Sequence, residues 1–254
     1  MENLKIILYV IIGIVILWLV YEFRDYIIYF INLVRVTFKN QKGIKDLQKE
    51  GMNRRNLDDK SIYKYIEISQ KSLNKIGIEY RREFILDEEL ERHLKYSRFS
   101  EKYILELLEK ILKHMEMKKD SINLKINYIS SKYQMSYAGM YIEKELDSNS
   151  KKDIILNIQN DMNLDTIISV LAHECTHHLL LSNNIRINNR IQNECLTDIT
   201  TILLGFGKYM VKGYEISNKI IYDEINHRSI KKDRVGYLSP KDISFVMKKI
   251  KYIK

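Results

Sequence analysis

The sequence predicts an α+β protein, a mostly helical domain with a small three-stranded sheet, preceded by an N-terminal transmembrane helix. Three observations carry that prediction. Apolar residues recur at helical spacing in successive runs from residue 61 onward, period-two alternation takes over at 122–128 and 133–137 ahead of a short strand at 153–158, and residues 6–20 are uncharged and apolar throughout. The chain divides into a membrane anchor with a juxtamembrane helix (1–38), a polar connector (39–60) and a folded domain (61–254). With 254 residues and 45% hydrophobic content, one core of moderate size or two small ones can form.

The anchor begins at Ile6 and stays apolar to Val20, and Leu4 with a snorkelling Lys5 brings the run close to a bilayer span. Trp18, Tyr21, Phe23 and Tyr26 crowd its downstream end as an interfacial belt. A secretory signal peptide is the rival reading. The stretch 21–26 offers no small-residue cleavage site, which favours a retained anchor. Residues 26–38 continue as a juxtamembrane helix, with a short second pass as the alternative. Only Lys5 precedes the span, whereas Arg24, Arg35, Lys39, Lys42 and Lys45 follow it, so the N-terminus is expected outside and the folded domain in the cytoplasm. Cys175 and Cys195 fit that compartment: each falls on the packed side of a helix, and no disulfide is expected between them.

A net charge of +9 raises the question of nucleic acid. The lysines are scattered along the chain without a recognisable nucleic-acid-binding signature, so no such partner is expected. The excess suits attraction to anionic lipid headgroups.

Beyond the connector, Ile62, Tyr65, Ile66, Ser69 and Leu73 mark a helix over 61–76 that Gly77 stops. Residues 87–95 and 100–117 supply two more helices. Ile122, Leu124, Ile126 and Tyr128 then alternate with polar residues as a strand with one buried face. Tyr133, Met135 and Tyr137 alternate next and lead into Ala138-Gly139-Met140-Tyr141-Ile142; a polar turn at 147–152 precedes a third strand at 153–158. After the two helices described below, a helical segment is expected at 209–224, a polar loop at 226–234, and a final helix with Ser239 as N-cap and Pro240 at its first position.

The chemistry is concentrated in 164–181, a helical run carrying His173-Glu174-Cys175-Thr176-His177. Leu164, Ile168, Leu171, Cys175 and Leu179 fall in a stripe roughly 80° wide at about 100° per residue. His173 and His177 lie on the other side, one turn apart, where two imidazoles can share a metal ion. His178 falls back toward the apolar stripe and reads as a packed histidine. Asp165 or Asn163 is the expected N-cap, and Asn183-Asn184 the stop. A catalytic zinc site needs a third protein ligand. The next helical run, 193–204, is ended by Gly205 and Gly207 and carries Glu194 and Asp198 four apart on one face. Glu194 is assigned as the third ligand, and Asp198 as the group that takes the outer N–H of a zinc histidine.

These two segments resemble the gluzincin metallopeptidases, the thermolysin-like clan. That family pairs His-Glu-x-x-His on one helix with Asn-Glu-x-x-Ser/Thr-Asp on the next, a pattern that residues 193–198 match, and the likeness is specific over about 163–207. The short connection between the helices is similar to compact single-domain gluzincins. The resemblance implies a zincin-like domain holding one catalytic Zn2+ and hydrolysing peptide bonds, with Glu174 as general base and proton shuttle. Asn193 joins Asp198 around the ligands. It also implies a sheet whose edge strand pairs with an extended peptide or protein substrate, for which Ala138, Gly139, Met140, Tyr141 and Ile142 are the candidates. Small residues there let a backbone approach closely. A His or Tyr stabilises the oxyanion in related enzymes; His227 and Tyr237 are the candidates, and spacing does not choose between them.

Two other functions fit the same residues. One is a zincin-fold binding or scaffold protein at the membrane without turnover. The other is a zinc hydrolase of non-peptide amides or of substrates close to the lipid.

Overall fold

A computed structural model describes residues 57–80, 82–129, 138–142, 152–159, 162–222, 228–234 and 236–252, with the stretches 215–222 and 228–234 described by their backbone. The anchor, the juxtamembrane run and the connector up to residue 56 lie outside these residues, as do Tyr133, Met135, Tyr137 and His227. No helix among the described residues is long and apolar enough to cross a membrane.

Helix α1 (Asp59–Ile76) starts where the Asp58 carboxylate accepts the Ser61 N–H and stops at Gly77, whose φ of 73° is left-handed. It thus begins two residues earlier than its apolar spacing suggests. Helices α2 (Glu88–Tyr96) and α3 (Glu101–His114) follow, with Asp87 and Ser100 at their N-cap positions. Their apolar stripes, among them Leu90, Leu94, Ile104, Leu107 and Ile111, enter the common core.

The sheet has the order β1 (Ile122–Ile129), β3 (Lys152–Gln159), β2 (Gly139–Ile142). β3 lies in the middle, parallel to β1 and antiparallel to β2. It turns Ile154, Leu156 and Ile158 into the core and also buries Asp153, Asn157 and Gln159 in the alternate positions. The β1 alternation holds from Ile122 to Ile126, but Tyr128 leaves the core and its hydroxyl donates to the Phe99 carbonyl at 2.8 Å.

Helix α4 (Leu164–Ser182) is capped by Asn163, whose side chain accepts the Thr166 N–H at 2.8 Å. The wheel leads one to expect one buried and one open face. Instead every residue from Thr166 to Leu180 is buried. Its polar residues tolerate this because their hydroxyls find acceptors: Ser169 and Thr176 each donate to the carbonyl four residues back, at 2.6 and 2.8 Å.

Helix α5 (Arg190–Thr201), N-capped by Asn189, packs against α4, and the buried hydroxyl of Thr201 donates to that of Thr176 at 2.9 Å. As expected, the helix breaks at Gly205, and a new one follows directly. Past Thr201 the chain kinks within Ile202–Phe206, where Gly205 takes a left-handed φ of 97°, and resumes as α6 (Gly207–Gly213).

The chain then departs from the sequence expectation. Residues 215–222 form β4 (Glu215–Tyr222) and residues 228–234 form β5 (Arg228–Arg234), an antiparallel pair where a helix and a loop are expected. Ile216, Ile220 and Ile221 satisfy a helical spacing on paper, yet they are β-branched and favour strands. The last helix, α7 (Pro240–Tyr252), opens with a reciprocal cap: Ser239 Oγ accepts the Asp242 N–H at 3.1 Å and Asp242 Oδ2 accepts the Ser239 N–H at 3.1 Å.

Candidate metal centre

Four residues per turn-and-a-bit set His173 and His177 on one side of α4, and α5 brings Glu194 against that side. His173 Nε2 lies 3.2 Å and His177 Nε2 2.9 Å from the same oxygen, Glu194 Oε2. The three donor atoms lie within 4.8 Å of one another. Both histidines are 8% exposed, so the pair is buried rather than displayed on the surface.

The outer nitrogens decide what the inner ones can do. His173 Nδ1 sits 2.8 Å from Asp198 Oδ1, and a carboxylate can only accept, so the ring donates there. His177 Nδ1 sits 3.3 Å from Thr197 Oγ1, whose own proton goes to the Asn193 carbonyl at 2.9 Å. The Thr197 oxygen is therefore the acceptor, and His177 donates from Nδ1 as well. With Nδ1 turned outward on both rings, Nε2 is the nitrogen left facing Glu194; against that carboxylate it donates, and it presents a lone pair only where a metal takes the place of the proton, the arrangement metal-binding histidines need. Donor atoms around a tetrahedral zinc with bonds of about 2.0–2.1 Å stand roughly 3.4 Å apart, close to the two histidine-to-Glu194 separations. The donor set fits a divalent metal.

Asp198 is fully buried and carries more than the imidazole. Its Oδ1 also accepts the Tyr214 hydroxyl, and its Oδ2 accepts the backbone N–H groups of Tyr237 at 2.8 Å and Leu238 at 3.0 Å. Burial and the neighbouring Asp198 hold the Tyr214 phenol well above its ordinary pKa, so it keeps its proton and donates. Burial opposes a charge on His173, but its bonds to Asp198 and Glu194 prevail and hold its pKa well above the usual value. That proton is the one a bound metal would displace. Burial raises the Glu194 carboxyl, and the two imidazoles overcome that effect, leaving it well below the usual range.

Glu174 lies beside the cluster, and burial pushes its carboxyl above the ordinary range, partly offset by the two imidazoles. Its other neighbour is strand β2. A Cβ at Gly139 would stand 2.8 Å from Glu174 Oε1 and 2.4 Å from Val170 Cγ1, so only glycine lets the strand approach this close. The Tyr141 backbone hydrogen-bonds to the Glu174 carboxylate. Among the described residues β2 is the outer strand of the three-stranded sheet, and through Gly139 and Tyr141 the candidate stretch 138–142 meets the carboxylate.

The remaining sequence candidates separate. Tyr237 stacks alongside His173, with ring centroids 6.4 Å apart. His227 lies outside the described residues. Asn193 serves the loop between α4 and α5, its Oδ1 accepting the Ile187 N–H at 2.9 Å, while Thr197 meets the imidazole. His178 is a packed residue, its Nδ1 within 3.2 Å of both the Tyr141 and Ser182 hydroxyls. Cys175 and Cys195 are free and buried. Sequence reasoning missed Thr197 and Tyr214. Thr197 stands in the matched motif and could have been found from its place one residue before Asp198; Tyr214 gives no comparable signal.

Comparison with known proteins finds no matching family model, no matching curated protein and no matching solved structure.

Proposed function

We propose that this protein is a membrane-anchored, zinc-dependent metallopeptidase with a zincin-like domain of the gluzincin kind. The observation that carries the reading is the convergence of His173 Nε2, His177 Nε2 and Glu194 Oε2, with both outer ring nitrogens already donating to Asp198 and Thr197. Two imidazoles and a carboxylate form the donor set of a catalytic rather than a closed structural zinc site. A glutamate next to the ligands and a strand lying against it supply further support.

Bound by these three residues, zinc supplies Lewis acidity, polarising a scissile carbonyl and making water acidic enough to lose a proton near neutral pH. Glu174 accepts that proton as the water oxygen bonds to the carbonyl carbon, and delivers it to the amide nitrogen as the C–N bond breaks. Strand β2, lying against Glu174, is the element we assign to an extended substrate backbone, which would set the bond to be cut beside that carboxylate. Tyr237 lies alongside His173, from where its phenol offers a hydrogen bond to the developing oxyanion. The N-terminal span holds the domain at the cytoplasmic side of a bilayer.

The test is cleavage of an unbiased peptide library by the full-length chain in detergent or vesicles, with and without chelator. Zinc-restored cleavage supports the reading. Stoichiometric zinc without cleavage favours a non-catalytic binding protein or a hydrolase of non-peptide amides.

A further inference from the structure

We propose that Tyr214 is a positioning residue for His173, acting through Asp198. The inference rests on the metal-site reading above and adds to it a residue distant in sequence from both histidine and aspartate. Asp198 is fully buried, so the direction of each of its oxygens is set by the donors it meets. Oδ2 is pinned by two backbone N–H groups, from Tyr237 and Leu238. Oδ1 receives His173 Nδ1 and the Tyr214 hydroxyl. Without the phenol, Oδ1 would be held only by the imidazole that it has to orient.

Tyr214 is itself fixed from two sides. Its ring lies against Gly236, where a Cβ would come within 1.9 Å of Cε2. The residue before it, Gly213, accepts the Thr166 hydroxyl on its carbonyl at 2.8 Å. Thr166 belongs to the first turn of α4, the helix that carries His173. A closed circuit results: α4 to Thr166, Gly213, Tyr214, Asp198, His173 and back to α4. The phenol fixes the carboxylate relative to the same helix whose imidazole it steers. A tyrosine that merely fills space would need its ring but not this hydroxyl.

The experiment measures zinc affinity by chelator competition in the full-length chain, for the unaltered protein, Tyr214→Phe, Asp198→Asn and the double variant. It also records the zinc-induced rise in Tm for each. Tyr214→Phe keeps the ring and is expected to weaken zinc binding about tenfold, to shrink the zinc-induced Tm increment, and to add less than about twofold on top of Asp198→Asn. Thr166→Val, which leaves the phenol in place and removes its strut to α4, is expected to weaken binding in the same direction by less. It serves as the readout if Tyr214→Phe does not fold.

An affinity within about twofold of the unaltered chain, or a Tm loss equal in the zinc-free and zinc-loaded forms, overturns the proposal and assigns Tyr214 to packing. Unaltered protein that takes up no zinc overturns both this inference and the peptidase reading. Zinc uptake without peptide cleavage overturns the peptidase reading alone.

Discussion

Thr197 Oγ1 lies 3.3 Å from His177 Nδ1 and gives its own proton to the Asn193 carbonyl, so it can only accept from the imidazole. That relationship turns one histidine of the candidate metal pair outward at Nδ1 as Asp198 does the other. Thr197→Val keeps the shape and removes the acceptor. Zinc affinity is expected to fall about tenfold or more, measured by chelator competition, while the far-ultraviolet circular dichroism stays that of the unaltered protein.

Gly139 and Glu174 are as closely linked. Because a methyl group at 139 would press on Val170 and on Glu174 Oε1, Gly139→Ala is expected to displace either the carboxylate or the strand. Peptide cleavage should drop at least about tenfold with zinc content unchanged. Paired assays of kcat/KM and metal content check this.

Glu174→Gln removes the proposed proton acceptor and keeps the size of the side chain. Turnover is expected to fall by a factor of about 100 or more with zinc retained. His177→Ala should lose both metal and turnover. Retained cleavage in Glu174→Gln would show that another group takes the proton.

Stability away from the site follows ordinary capping. Asp87 accepts the Leu90 N–H at 2.9 Å at the start of α2 and pairs with Lys110 at 2.7 Å. The Lys110 bond, with the cap, lowers its carboxyl pKa. A depressed carboxylate stabilises the folded state above its unfolded pKa of about 4, and the contribution is lost as pH falls through the lower folded value. Asp87→Ala is expected to cost about 1 kcal/mol at neutral pH, and the gap between variant and parent in urea unfolding should close below about pH 4.

Much of the fold follows from period alone. Helical spacing in 61–76 and 100–117 and alternation from 122 to 126 reflect side chains that must reach one core, and a helix or strand forms at each. The histidine pair and Glu194 with Asp198 were legible for the same reason, since residues four apart on a helix must share a side. Three features escaped that logic. The full burial of α4 depends on hydroxyls satisfied by carbonyls four residues back, which a hydropathy wheel does not weigh. The β4–β5 pair was misread because Ile216 and Ile220 are spaced for either period, and a register irregularity between Glu215 and Ser217 breaks the alternation. Tyr214 reaches Asp198 only because the chain continues through the kink at 202–206 into α6, a path that no local pattern announces.

The central claim is a single metal ion held by His173, His177 and Glu194, and elemental analysis of the purified full-length chain tests it most directly. One zinc per chain in the unaltered protein, lost in Glu194→Ala and retained in Glu174→Gln, is the predicted result. A chain that carries no metal, or that holds it equally well after Glu194→Ala, contradicts the account.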